Sequence, residues 1–500
     1  MDINDVLRSL QPYFEKIPSV ERPKRHVPFK EKFGWTVAIL LLYFILTNVP
    51  VFGLDPHSID IFAQYRAFFA GATGSILALG IGPIVTASIV LQLLVGAGII
   101  RLDLTNPDDR ATYQDFQRFL VFVMIALEAI PQIAGGFLKP NLEVANALGV
   151  PPSLISFMIF IQLFIGGVLI VYMDEVVSKW GIGSGVSLFI LASISQAIIV
   201  GLFNWFNPGG GMPPGVFPRL VWLFQNYPLD YLLSANGLIT LFIDGGILAL
   251  ITTVIIIFLV VFAEGTRVEI PLAHQLVRGA RGRFPIKLIY ASVLPMIFVR
   301  ALQANIVILG LILYQNGITF LGEYAPGTSQ PISGIMYLLS PVRSPYDWVP
   351  AFVKDPARNS LAPYFADMPD WMIYLHLIVD AIILVAGGIL FAIFWVETSG
   401  MDAKTVANQI ARSGLQIPGF RKSPQVLERI LSRYIPKVTI LGGAMIGLLT
   451  LIANMLGTVG NVSGTGLLLA VSIAYRFYED LTREQMTEMH PMLRKFLGEE

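Results

Sequence analysis

The sequence predicts an all-α polytopic membrane protein, and three observations carry that expectation. Of the 500 residues, 55% are apolar and only 14% charged, where a water-soluble chain carries about a quarter charged residues. Ten apolar runs, most of them near the length a helix needs to cross a bilayer, punctuate the chain. The 34 Lys and Arg fall very unevenly among the segments between those runs. Composition alone excludes a disordered protein, a coiled coil and an ordinary soluble enzyme. The absence of cysteine excludes a disulfide framework and any thiolate metal site.

The runs cover Trp35–Phe52, Gly74–Ile99, Phe116–Phe137, Pro152–Met173, Gly185–Phe203, Leu238–Phe262, Ile286–Leu313, Trp371–Trp395, Val438–Gly457 and Gly464–Phe477. No small-residue cleavage site follows the first, so a retained helix is expected there. Ten spans place both termini on one side, and basic residues choose the side. On the side of the termini lie 26 of the 34 Lys and Arg, against six on the other side. Both termini are therefore expected in the cytosol, as an arm over 1–34 and a tail over 480–500. Two cytosolic loops, 263–287 and 397–437, are long and basic. Clustered Arg beside glycine suits a phosphate-rich polyanion such as RNA, although topology-setting charge alone remains an alternative. The external segment 314–370, rich in Pro, Gly and aromatics, is expected to be an ordered cap.

Four features depart from plain membrane helices. His57–Thr73 is too short and too polar to span, and fits either a surface-lying turn or a re-entrant segment. Gly80-Ile-Gly-Pro-Ile-Val-Thr-Ala-Ser88 puts Pro and glycines within the second run, as at a kink or a close helix approach. Glycines open the fifth and tenth runs, at Gly181–Gly185 and Gly464–Gly466, a weak mark of an inverted repeat. Finally, Thr86, Gln92, Glu128, Arg300, Gln303, Asn305 and Asp380 are polar within apolar runs, where ionisable groups are costly and point to function. There is no Gly-x-x-x-x-Gly-Lys-Ser/Thr loop, no His-Glu-x-x-His and no metal-ligand spacing among the five histidines. No enzyme site and no cofactor are expected.

Several strings, in order, carry a resemblance over nearly the whole chain. They are Glu15-Lys-Ile-Pro18, Phe29-Lys-Glu-Lys-Phe33, Gly80–Leu94, Tyr172-Met-Asp-Glu175, Lys179–Gly185, Arg267-Val-Glu-Ile-Pro271, Phe284-Pro-Ile-Lys287, Phe394-Trp-Val-Glu-Thr398 and Gly419-Phe-Arg-Lys422. The chain resembles the SecY family, the large subunit of the protein-conducting channel, and its Gly80-Ile-Gly-Pro core looks archaeal. The resemblance implies ten transmembrane helices in two inverted five-helix halves, 35–203 and 238–479, joined by an external hinge loop over 204–237. A central hourglass pore runs between them. Its waist falls by motif matching on Ile81, Val85, Val186, Ile190, Ile297 and Leu469. The pairs Ile81/Val85 and Val186/Ile190 are each four apart, which puts each pair on one helix face.

His57–Thr73 then resembles the re-entrant plug, with Ile61, Phe62, Gln64, Tyr65, Arg66, Phe68 and Phe69 as its core residues. Thr86, Gln92, Glu128 and Asn305 resemble the polar cluster of a lateral gate. Arg278, Arg281, Arg283, Arg421 and Lys422 resemble ribosome-docking residues on the two basic loops. The implied partners are small SecE/gamma-type and Sec-beta-type membrane subunits, the ribosome with its rRNA, nascent chains bearing signal sequences, and the lipid of the cell membrane. The main rival is an inverted-repeat secondary transporter, with a membrane-embedded enzyme third. A transporter needs a polar midplane site, and the expected waist is wholly apolar.

Overall fold

The computed structural model describes residues 17–56, 58, 69–96, 99–100, 102, 107–134, 137–207, 211–274, 281–291, 293–326, 328–412, 415–416 and 424–489. Ten long helices stand where the ten apolar runs predict them: α1 (Phe29–Thr47), α2 (Gly82–Gly96), α3 (Pro107–Ala134), α4 (Pro152–Trp180), α5 (Gly185–Phe203), α6 (Ile247–Gly265), α7 (Leu294–Gln315), α8 (Asp370–Thr398), α9 (Pro424–Leu456) and α10 (Gly464–Met489). Among the described residues, seven of them, α3 to α9, are long and apolar enough to cross a membrane. The other three differ for visible reasons. Charged residues fill the first turn of α1 and the second half of α10, and α2 is only 15 residues long.

Several boundaries move, each for a local reason. The second run does not form one helix from Gly74. Residues 74–81 fold as turns, with Gly74 and Gly80 at positive φ (+68° and +57°). Pro83 sits in the first turn of α2, where its missing N–H costs nothing, so it starts a helix instead of kinking one. The sixth run is interrupted. A short helix, Ala235–Ile239, passes into a π turn, Thr240–Asp244, and Gly246 at φ +83° breaks the chain before α6 begins. The seventh starts at Leu294 because Ile286 and Lys287 belong to a strand.

That strand is part of the one sheet among the described residues, which the apolar runs did not predict. β1 (Arg267–His274) pairs antiparallel with β2 (Arg281–Lys287), Val268 facing Ile286 and Ile270 facing Phe284. On its other edge β1 meets β3 (Leu415–Gln416), with Ala273 opposite Gln416. The two basic loops are thus stitched together. Ile270 and Ile286 bury themselves with Val406 and Ile410 of the amphipathic helix Ala403–Arg412 and with Leu427, Leu431 and Ile435 of α9. The loops therefore form a folded platform with its own core.

The same end of the bundle holds the start of α1 and the end of α10, since Lys32 pairs with Glu484 (2.8 Å). Lys287 pairs with Glu479 (2.8 Å), and Glu175 takes both Arg118 (3.0 Å) and Lys179 (2.9 Å). Segment 314–370 is ordered as expected, with short helices at Gly334–Leu339, Pro345–Trp348, Pro350–Val353 and Ala362–Phe365. The largest apolar cluster runs through the middle of the bundle and draws on α1, α2 and α4 to α10.

Candidate functional site

The six residues expected at the waist converge in that central cluster. Ile81 (0% exposed), Val85, Ile190, Ile297 and Leu469 are all buried members, and Val186 packs against them. They arrive on separate elements: Ile81 immediately precedes α2, which carries Val85. Val186 and Ile190 lie on α5, Ile297 on α7 and Leu469 on α10. Beside Leu469 a cavity of about 220 Å³ opens, lined by Gly183, Ser187, Val293 and, toward the end of α10, Arg476 and Asp480.

The helix starts that bring these residues in are built alike. Val186 N–H donates to Asp174 Oδ1 of α4 (2.9 Å), and a Cβ on Gly185 would come within 2.6 Å of Asp174 Cα. Gly464 N–H donates to Asn454 Oδ1 of α9 (2.6 Å), and a Cβ on Gly464 would come within 2.6 Å of Ala453 Cβ. In both cases the preceding helix supplies an acceptor to an orphan amide, and glycine permits the approach. The glycines were legible in the sequence; Asp174 and Asn454 were not, because their partners are defined only by the fold.

Residues 69–81 pack beside the same cluster. Of the seven plug residues, Phe69 alone is described, and it is buried in the central cluster; Ile61, Phe62, Gln64, Tyr65, Arg66 and Phe68 lie outside the described residues. Ile81 N–H donates to Phe69 O (2.7 Å) and Tyr43 Oη to Ala70 O (3.0 Å). Gly80 allows this contact, since any Cβ there would meet Phe69 O at 2.1 Å. Phe69 and Ala70, at the end of this segment, are buried in protein.

Thr86 of α2, Glu128 of α3 and Asn305 of α7 line one small cavity with Phe69, Gly71, Ala78, Leu79 and Gly82. Its volume, about 10 Å³, is close to that of one water probe. Glu128 Oε2 would lie 3.0 Å from a Cβ on Gly82, and Asn305 is exposed. Gln92 does not join them. It sits six residues beyond Thr86 on α2, turned by about 240° around the helix axis, and stays outside the cavity. Arg278, Arg421 and Lys422 lie outside the described residues, while the backbones of Arg281 and Arg283 form β2 opposite Ala273 and Pro271.

The other polar residues within the runs form a separate cluster. Arg300 (2% exposed) of α7 donates to Asp380 Oδ1 (0% exposed) of α8 at 3.0 Å, to Gln303 Oε1 and to Thr465 Oγ1 of α10 (3.2 Å). Gln303 Nε2 donates to Leu339 O (2.7 Å) and to Asp380 Oδ1 (3.1 Å). These polar groups join three helices to the segment 314–370.

A bundle of apolar, membrane-length helices packed about one central apolar cluster is the architecture of a polytopic membrane protein. The SecY family model matches residues 75–478, and the model for the plug domain of Sec61p matches residues 41–74. The chain belongs to the SecY family, whose members are protein-conducting channels and not enzymes. Protein translocase subunit SecY of Archaeoglobus fulgidus is 75% identical over 499 residues, covering 100% of both chains, and that of Haloferax volcanii is 51% identical, covering 98% of this chain and 99% of its own. A solved structure of a protein-conducting channel matches with a TM-score of 0.74 at 40% identity, covering 96% of this chain and 98% of that one. Sec61 in the canine ribosome-channel complex from the endoplasmic reticulum matches with a TM-score of 0.72 at 39% identity, covering the same shares.

Proposed function

We propose that this chain forms the pore of a protein-conducting channel in the cell membrane, and that unfolded polypeptide passes between Ile81, Val85, Val186, Ile190, Ile297 and Leu469. The meeting of these six apolar side chains, brought in by α5, α7, α10 and the start of α2, in one cluster at the middle of the bundle carries the reading. Apolar contacts are non-directional, so such a ring parts around any side chain without binding it. A narrow apolar neck also favours dewetting and so opposes ion leak. A secondary transporter, which needs a polar site at this depth, is not favoured.

The segment about 57–73, with Ile61, Phe62, Gln64, Tyr65, Arg66, Phe68 and Phe69, acts as the plug. Thr86, Glu128 and Asn305 form the seam of a lateral gate through which signal sequences and membrane segments leave for the lipid; Gln92 is not part of that seam. The halves 35–203 and 238–479 pivot on the hinge 204–237. The end bearing the Lys32–Glu484 pair faces the cytosol, which agrees with the 26 basic residues assigned to that side. There the platform of the two basic loops docks a ribosome, with Arg278, Arg281, Arg283, Arg421 and Lys422 on rRNA phosphates. Small SecE/gamma-type and Sec-beta-type subunits complete the complex.

A stalled secretory nascent chain tests this reading, with a photoreactive residue introduced in turn at Ile81 and Ile190. Crosslinks from both positions to the nascent chain are expected, and their absence from both would overturn it. For the platform, Arg278→Glu with Arg421→Glu should weaken ribosome binding and flatten its salt dependence. Unchanged binding would remove these residues from the interface.

A further inference from the structure

The external hinge segment carries an apolar surface that a water-facing loop has no reason to carry. Helix Val216–Asn226 buries Val216, Pro218 and Leu223 on one side. The opposite stripe, Phe217 (43% exposed), Val221 (42%) and Phe224 (55%), follows i, i+4, i+7 spacing and is equally apolar. A helix lying on a core with its back to water shows polar residues there. The one charged residue of this helix, Arg219, is turned inward, and donates to the carbonyl oxygens of Pro213 (3.1 Å), Pro214 (2.8 Å) and Asp244 (3.0 Å). Leu229 (65% exposed) and Leu233 (70%) prolong the apolar surface.

That surface has no border with the outer faces of the spanning helices. The Phe217 ring lies 5.3 Å from that of Phe203 at the end of α5, which is itself exposed. At the other end, exposed Leu238, Ile239 and Phe242 lead into the outer face of α6, where Phe258 is 71% exposed. Exposed Gln225, Asn226 and Asp230 mark the edge that remains for water.

We propose that residues 216–239 lie in the outer membrane interface, with the Phe217–Val221–Phe224 stripe against lipid acyl chains. The hinge is then an interfacial anchor of the kind amphipathic helices form, and the two halves move about a connection held at fixed depth in the bilayer. The inference rests on the membrane-spanning reading of α5 and α6, and the test separates the two. Because the chain has no cysteine, the full-length variants Phe224→Cys, Gln225→Cys and Phe258→Cys each take a single environment-sensitive fluorophore. They are reconstituted in phosphatidylcholine–phosphatidylglycerol vesicles with brominated acyl chains. The label at Phe224 should lose its emission to brominated lipid as the one at Phe258 does, and resist aqueous iodide, while the label at Gln225 should show the reverse. Iodide quenching at Phe224 equal to that at Gln225 overturns the proposal, as does shielding from both quenchers, which would mean a protein surface covers the stripe. If the Phe258 label also escapes the brominated lipid, the spanning reading fails with it.

Discussion

Helix α7 contributes to two buried clusters whose contact residues, Ile297 and Arg300, are three positions apart. Ile297 belongs to the central apolar cluster shared with α2, α5 and α10. Arg300 belongs to the ionic cluster with Asp380, Gln303 and Thr465. The first is held by contacts that have no direction and can be remade on any apolar or flexible surface. The second is held by charges that lose several kcal/mol, of order 3–5, when one partner is taken away in a buried setting. On the proposed reading, one helix carries a surface fit to open and a surface fit to stay shut, and the ionic cluster belongs to the wall of the channel, not its passage.

The comparison yields a graded series of outcomes. The largest effect is expected for Asp380→Ala, which strands Arg300: a loss of about 3–5 kcal/mol, read as a lowered Tm of the detergent-purified chain and reduced abundance in membranes. Replacing both partners, Arg300→Met with Asp380→Leu, should recover most of that loss, since a packed apolar pair is often neutral relative to a buried ion pair. Failure of the double variant to recover would show that the charges do more than hold the wall. At the constriction, Ile297→Leu conserves volume and should cost less than about 1.5 kcal/mol, with secretion measured by pulse-chase unchanged. A secretion defect there would contradict a ring that tolerates any apolar side chain.

Between the two regimes lies the seam. Asn305→Leu removes a polar group from the cavity shared with Thr86 and Glu128, and should shift the balance of the gate, so that secretory proteins with weakened signal sequences pass or normal ones are blocked. An unaltered signal-sequence requirement would take Asn305 out of the gate. The smallest effect is expected for Lys287→Met, which breaks a partly exposed pair with Glu479. Such pairs contribute up to about 1 kcal/mol, and the effect should shrink further when Tm is measured at high salt.

Much of this arrangement is legible in the residues. The ten runs gave the helices because only closed backbone hydrogen bonding survives in lipid, and i, i+4 spacing put Ile81 with Val85 and Val186 with Ile190 on common faces. Other parts were hidden. The sheet is not legible because charge dominates 267–287, Ile270 is isolated within it, and Ile286 reads as the start of the seventh apolar run although it lies in a strand. Gln92 and Thr86 share a run in the sequence, but six residues along α2 turn them about 240° apart. Arg300 and Asp380 were marked as costly intramembrane residues, but that each is the other's partner depends on α7 lying beside α8, which no local pattern encodes.

The contrast between passage and wall is tested most directly by a crosslinking map along α7. Photoreactive residues placed one at a time at Ile297 and at Gln303, with a secretory chain stalled in transit, sample the two clusters on the same helix. Adducts from Ile297 and none from Gln303 are expected. Adducts from Gln303 equal to those from Ile297, or none from Ile297, would contradict the assignment of the apolar cluster as the path of the polypeptide.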